Sequence, residues 1–582
     1  MKNPSRVLWP TASWALIAAA MGCGPAQLPQ QVEFGVEVVH KKAPVVGQNQ
    51  LSLRLSIPAG RPQSLVASLE LVSPEGERLD FERAIHARSK DEDLFDLPYV
   101  VHKEGLYHAV LEIHEQQGGE LVHAREDLHL NVRPRWEFSN DRSYYTSEEV
   151  IRFRARLNRS EETRLVVAVE LRQGTITWDR RELIFRGREV EGEMAATSLA
   201  PGAYTMSAQL RGEKGLEDSI QCEFHKHPPG EREVKIDLFS QMLLVDGKPF
   251  FPIGLYWLRT EVLKEVRRLN FNSGDYFYML DAGEIAELMD AAAAEDMGIL
   301  LELTNFVGRK PEPDYGGIEA TIKRYRRHPA LLAWYIVDEP LEKRVKPGPA
   351  NVVYERIREL DPYHPVYLVN NRPHAYEDFI GASDILGIDV YPIPKYPIAR
   401  VRNFMDKARW ASRGSKPVWL VAQAFGGVEH WPRAPSAVEL RNMVYQGLVQ
   451  GARGLLFYRY CRENERHIQP MSLWAEVRTL ATELSELSPV LVEPDCNDCV
   501  RSLERDEGVD IMLKNHRGEY YLFAVNSSQA WKQVRCSFSG LRSFSQVKAM
   551  HHSPSSRWRG DVLEIQLAPL GVGVYRLAPV GV

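Results

Sequence analysis

Cysteine is scarce in this chain, six in 582 residues. With Cys23 set apart, the odd remainder of Cys222, Cys461, Cys496, Cys499 and Cys536 argues against a disulfide framework as the basis of the fold. Basic charge is not in excess either. Lys and Arg together number 72 against 78 Asp and Glu, a formal net charge of −6, so no positive field invites nucleic acid. No glycine-rich phosphate loop follows a predicted strand, and this argues against a doubly wound nucleotide-binding sheet. The Cys496-x-x-Cys499 pair has neither a second pair nor a histidine cluster beside it; it reads as a zinc half-site or a local disulfide, and neither metal nor cofactor is expected. Long hydrophobic runs are missing too, since TASWALIAAAMG, residues 11–22, is too short to span a bilayer permanently.

What is present is ordinary globular material. A hydrophobic share of 44% with 26% charged residues excludes a disordered or fibrous chain. The length predicts roughly three to five domains. At the N-terminus Lys2 and Arg6 precede the short apolar region, the pattern of a signal peptide over residues 1–22. The sequence AMGC resembles the lipobox of bacterial lipoproteins. That resemblance implies lipidation of Cys23, attachment to a membrane through the lipid, and, because Gly24 is not aspartate, the outer membrane. An ordinary secretory cleavage at the same point is the alternative, and both place the mature protein outside the cytoplasm.

Residues 31–134 alternate apolar and polar positions over short runs such as SLVASLELV and YHAVLEIHE, broken by turn residues, which predicts a β-sandwich. Residues 135–228 repeat the scheme with VIRFRARL and YTMSAQLR. Each segment carries a Gly-x-Tyr, Gly105–Tyr107 and Gly202–Tyr204, resembling the corner tyrosine of immunoglobulin-like sandwiches, whose hydroxyl ties a loop to backbone. Asp246-Gly247 then predicts a tight hairpin, because both central positions need positive φ. From Val234 to Pro489 eight apolar runs alternate with helical patterns: FPIGLYW, FNSGDYF, GILLELTNF, LLAWYIVDE, PVYLVNN, DILGIDVYP, PVWLVAQAF and GLLFYRY. Eight such units predict a (β/α)8 barrel. Short alternating runs return over residues 495–582, a C-terminal β-sandwich, whose Asn526-Ser-Ser is a formal glycosylation sequon.

A barrel of this kind works at the C-terminal ends of its strands. The runs end in Tyr256 and Trp257; Asp275, Tyr276 and Tyr278; Asn305; Asp338 and Glu339; Asn370 and Asn371; Asp389 and Tyr391; Gln423; and Tyr458 and Tyr460. Aromatic rings match the C–H face of a pyranose, while amides and acids match its hydroxyls, so the predicted partner is a carbohydrate. Trp431, in the loop GGVEHWPRAP, is expected to stack on sugar or pack its loop, while Trp334 and Trp419, inside strands, are expected in the core.

The stretch RRHPALLAWYIVDEP resembles the fourth-strand signature of the clan of (β/α)8 glycoside hydrolases that includes β-galactosidases, mannanases and cellulases, and LLVDGKPFFPIG is similar to the hairpin that opens many of their barrels. The resemblance implies that Glu339 is the general acid/base, with its proton affinity raised by burial or by a neighbouring charge such as Asp338. Two positions depart from the clan. Asp338 stands where it has asparagine, and Gln423 stands where it has the nucleophilic glutamate; an amide cannot form a glycosyl ester. Four routes follow. Another carboxylate serves, namely Asp389, Asp275, Glu302 or Glu429; or a substrate 2-acetamido group, oriented by Asp338, attacks in its place as in hexosaminidases; or the register of the seventh strand differs; or the barrel binds sugar without cleaving it. Asp389 also has a structural reading, as a cap or as a partner for Arg459.

Overall fold

The computed structural model describes residues 35–579 apart from 40–43, 57–62, 74, 88–92, 117–120, 159–163, 214, 277–279, 309–311, 429, 462, 466, 497–498 and 539–543. Cys23 and the N-terminal apolar region, Tyr278 and Glu429 therefore lie outside the described residues. The chain forms two compact units, one ending at Pro134 and the other running from Arg135 to Val582. It is a multidomain protein with an eight-strand parallel barrel and several antiparallel sheets.

In the first unit a three-stranded and a four-stranded antiparallel sheet enclose one core, with Leu51, Leu53 and Leu97 facing Leu65, Leu69, Leu111 and Ile113. In the second, the strands between Trp136 and Lys226 again make a three-stranded and a four-stranded sheet around a shared core. Both Gly-x-Tyr residues act as local ties: Tyr107 Oη donates to Lys103 O at 3.1 Å and Tyr204 Oη to Ala200 O at 2.8 Å. Met242–Val245 pairs with Lys248–Phe250 across Asp246 and Gly247, with φ of 48° and 78°, the two-residue turn the sequence calls for.

The barrel strands are Ile253–Leu258, Ser273–Tyr276, Gly298–Glu302, Leu331–Asp338, Val366–Asn370, Ile385–Val390, Val418–Gln423 and Leu455–Tyr458, in chain order and parallel. The first pairs with the last, so the sheet closes and the doubly wound alternative is excluded. Strand alternation separates two cores. Ile299, Leu301, Ile336, Leu386, Ile388, Leu420 and Phe457 pack outward against helices, while Tyr256, Leu300, Tyr335, Tyr367, Val369, Trp419, Val421 and Leu456 fill the inside, together with Val234, Ile236 and Leu243 of the preceding hairpin. Trp334 points outward and donates Nε1 to Asp361 at 2.8 Å; both tryptophans are core residues.

The helices start where their caps direct. Asp281 with Glu284 and Ser436 with Glu439 form capping boxes before Ala282–Ala294 and Ala437–Val449. The sequence reading of eight full helices is corrected after the fifth strand. Pro373 and Gly381 bracket too few residues for one, and a single turn, Tyr376–Phe379, lies between two 3₁₀ turns. The third strand also stops earlier than the run GILLELTNF implies, because Thr304–Val307 turns into a short helix, so Asn305 is exposed beyond the strand rather than at its end.

The C-terminal strands form two four-stranded sheets around a common core. Asn442 Nδ2, from the helix after the seventh strand, donates to Asn526 O at 2.9 Å and Leu570 O at 3.0 Å, joining this sandwich to the barrel. Asn526 itself is fully buried, with its amide donating to Ala530 and Ala568 carbonyls, so in the folded protein the sequon is closed. Cys496 and Cys499 are disulfide-bonded, which decides between the two readings of that pair. Among the described residues no helix is long and apolar enough to cross a membrane, and no group of His, Cys, Asp or Glu is arranged to hold a metal ion.

Candidate active site

The fourth strand is buried along its length up to Asp338. Glu339 then takes φ of 44°, a left-handed conformation that costs a non-glycine residue of order 1–3 kcal/mol. The backbone stays anchored through that turn, because Glu339 N–H donates to Val369 O at 3.0 Å and Asp338 N–H to Thr304 Oγ1 at 2.9 Å. Trp257, ending the first strand, is likewise left-handed at 68°. Backbone of this kind persists only where the surroundings over-determine it, and both cases lie on the same rim.

Glu339 is held on two sides. Its Oε1 accepts from Asn371 Nδ2 at 2.7 Å, and its carboxyl stands beside that of Asp389, an inward residue of the sixth strand only 5% exposed. Burial raises the proton affinity of both, most strongly for Asp389. The charge and hydrogen bond of Glu339 raise Asp389 further, while for Glu339 the bond to Asp389 works downward and the charge of Asp338 upward. Both carboxyls are therefore biased towards their protonated forms, Asp389 the more strongly.

Other acids share the interior. Asp275, 2% exposed, accepts from Tyr276 N–H at 2.7 Å, and burial first, then Glu302 and Asp338, push its carboxyl well above the usual range. Burial also raises Asp338, against the bond from Tyr335 Oη at 2.6 Å and the Lys343 charge. The nearby arginines are engaged elsewhere, Arg459 with Glu465 at 3.3 Å and Arg372 with Glu342, which corrects the reading of Asp389 as a partner of Arg459.

Several of the residues singled out from sequence sit differently from the reading. Gln423 ends the seventh strand as expected but is fully buried; its Oε1 accepts from Ile393 N–H at 2.9 Å and its Nε2 donates to Ile393 O at 2.8 Å and Phe425 O at 3.3 Å. It latches the loop after the sixth strand and does not present its amide to a substrate. Asn370 is fully buried, with Oδ1 accepting from Arg372 N–H; the neighbouring Asn371 is the one that reaches Glu339. Period-two alternation from the inward Tyr367 and Val369 points to Asn371, a signal available in the sequence. Tyr256 lies in the barrel interior, bonded to two other tyrosines, and is not on the rim. Trp257 carries the Arg459 guanidinium over its ring at 4.1 Å, and Tyr391 stacks on Tyr458 at 5.6 Å. Trp431 packs its loop, with Nε1 donating to Tyr391 O at 3.0 Å and its ring edge-on to Tyr391 and Phe425. The half-buried ring around the acids is therefore Trp257, Asp338, Glu339, Asn371, Tyr391, Trp431 and Tyr458. Sequence reasoning overlooked Thr304, Tyr335 and Tyr367.

The raised affinity of Asp389 makes a stability prediction. A carboxyl whose folded proton affinity exceeds its unfolded one contributes stability below the unfolded value, roughly pH 4, and loses that contribution as pH rises through the folded value. Asp389→Asn removes the loss, so its melting temperature gains on the wild type between pH 5 and pH 8. An equal difference at both pH values would refute the raised proton affinity of Asp389.

No family model matches the chain, and no curated protein matches it at a significant level. Solved structures do resemble it. A GH2 beta-galacturonidase from Eisenbergiella tayi, bound to galacturonate, is 16% identical, with 75% of this chain and 90% of that one covered and a TM-score of 0.35. A beta-glucuronidase from Ruminococcus gnavus in complex with D-glucuronic acid is 12% identical, with 75% and 88% covered and a TM-score of 0.32. An Anoxybacillus alpha-amylase is 10% identical, with 56% and 90% covered and a TM-score of 0.41. These neighbours are glycoside hydrolases. At such TM-scores the chemistry of this chain rests on its own side chains.

Proposed function

We propose that the barrel mouth hydrolyses a glycosidic bond, with Glu339 delivering the proton to the departing oxygen. The carrying observation is the placing of Glu339 at the C-terminal end of the fourth strand, beside the buried Asp389, with its Oε1 held by Asn371 Nδ2 at 2.7 Å. Burial and the neighbouring carboxyls raise its proton affinity, as an acid requires, and Asn371 fixes its direction. As the C–O bond breaks, positive charge grows on the sugar ring, and the Asp338 carboxylate, which accepts from Tyr335 Oη, supplies a negative field for it.

The same contact limits the mechanism. A nucleophilic carboxyl stands about 5–5.5 Å from the acid, and an inverting pair about 6.5–9.5 Å apart. Asp389 stands beside Glu339 rather than across the pocket from it, which suits a partner for the acid better than an opposing base. With Gln423 latched away as well, we favour the substrate's own 2-acetamido oxygen as the attacking group. In that reading Asp338, adjacent to the acid and held by Tyr335 and Thr304, orients the acetamido N–H.

A panel of aryl glycosides tests both readings. Hydrolysis of 2-acetamido-2-deoxy glycosides with little action on plain hexosides supports substrate assistance, and equal action on both rejects it. No hydrolysis anywhere, with sugars still bound, leaves a non-catalytic carbohydrate-binding barrel. We also read the protein as exported and held at the outer membrane by lipid on Cys23. Cys23→Ala should then move it from the membrane pellet to the soluble fraction and abolish labelling by palmitate; retention in the pellet would reject the anchor.

A further inference from the structure

Barrel interiors are ordinarily filled by branched aliphatic side chains. Here three tyrosines from the first, fourth and fifth strands meet inside, Tyr256, Tyr335 and Tyr367, all essentially buried. A buried hydroxyl is costly unless bonded. Tyr256 Oη lies 3.4 Å from Tyr335 Oη and 3.3 Å from Tyr367 Oη, and Tyr335 Oη lies 2.6 Å from Asp338 Oδ1. With Asp338 ionised, the direction of the chain is set by its end, because a carboxylate only accepts. Tyr335 donates to Asp338, Tyr256 to Tyr335, and Tyr367 to Tyr256. The fold leaves room for this at Gly387, where a Cβ would stand 2.4 Å from Tyr367 Oη.

We propose that Tyr335 is a positioning residue for the Glu339–Asp389 pair, acting through Asp338: its hydroxyl, backed by Tyr256 and Tyr367, holds the Asp338 carboxylate as an anion beside Glu339. The role of the pair as an acid rests on the function proposed above. A fixed negative charge next to Glu339 raises its proton affinity, and among the side chains bonded to Asp338 the donor is Tyr335. Tyrosine rather than phenylalanine at 335 is thereby tied to chemistry on the rim, one step removed from it.

Tyr335→Phe keeps the ring and removes the donor. Asp338 then takes up a proton at higher pH, and the Glu339–Asp389 pair releases its own at lower pH, by about one unit or tenfold in affinity. Carbon-13 carboxyl titration of Glu339 reads this directly, and the alkaline limb of the pH–rate profile should move down by the same amount. Tyr256→Phe should shift both in the same direction by less, and serves if the first variant does not fold. An unchanged Glu339 titration in a folded Tyr335→Phe protein, or in Tyr256→Phe if that is the one that folds, overturns the proposal. Should the wild type hydrolyse nothing, the glycosidase reading falls while the titration still decides this one.

Discussion

Glu339→Gln lowers kcat by about 100- to 10,000-fold on substrates with poor leaving groups, the range a positioned general acid contributes. The variant should fold normally, since its amide oxygen still accepts from Asn371 and its amide nitrogen can donate to the neighbouring Asp389 carboxyl. Binding changes little for the same reason. The decisive comparison is leaving-group ability. A dinitrophenyl glycoside departs without protonation, so its first step should be nearly spared while an alkyl glycoside loses the full factor. Wild-type rates on both substrates would remove Glu339 from the chemistry, and equal losses on both would assign it a different role.

Gln423→Glu is the second large effect, and it acts against intuition. In the clan that the fourth-strand sequence resembles, a glutamate at this place is the nucleophile, so the change looks like a restoration. Here the amide Nε2 donates to two carbonyl oxygens, of Ile393 and Phe425. A carboxylate oxygen in that place faces both without a proton to give, in a fully buried position. Leaving such a charge uncompensated costs about 3–5 kcal/mol. The introduced carboxyl escapes by binding a proton, so its folded affinity lies above its unfolded one. The variant is then closest to wild type at low pH and falls behind as pH rises through the folded value. Melting curves at pH 5 and pH 8 should show the gap widening, with no gain in hydrolysis. A variant as stable as wild type at both and more active would mean that Gln423 faces the substrate.

These two positions show how far the chain could be read in advance. Eight apolar runs with polar ends were enough for the barrel, because a strand buried on both faces must be apolar and its exit must not be. Asp246-Gly247 announced its hairpin because positive φ is a property of the residue itself. The two corner tyrosines were legible for a similar reason: their partners lie four residues away, within reach of the local chain. Glu339 was marked by its neighbours in sequence.

The partners of these residues were not. Gln423 was expected on the rim because it ends a strand; the path of the loop after the sixth strand brings Ile393 to it and takes it out of reach. Asp389 was a candidate base at a distance, and strand closure instead sets it against Glu339. Tyr335, sitting in the same stretch as the acid, drew no attention in the sequence, since Tyr256 and Tyr367 converge with it from other strands. The amino-acid sequence by itself determined which apolar runs become strands and that eight of them form the barrel, since these follow from local period and polarity. Only the tertiary structure decided which polar groups are spent on the backbone, as Gln423 is, and which reach another side chain, as Asn371 reaches Glu339, because hydrogen bonds act over about 3 Å, a distance that side chains far apart in the chain reach only once the loops have been laid down.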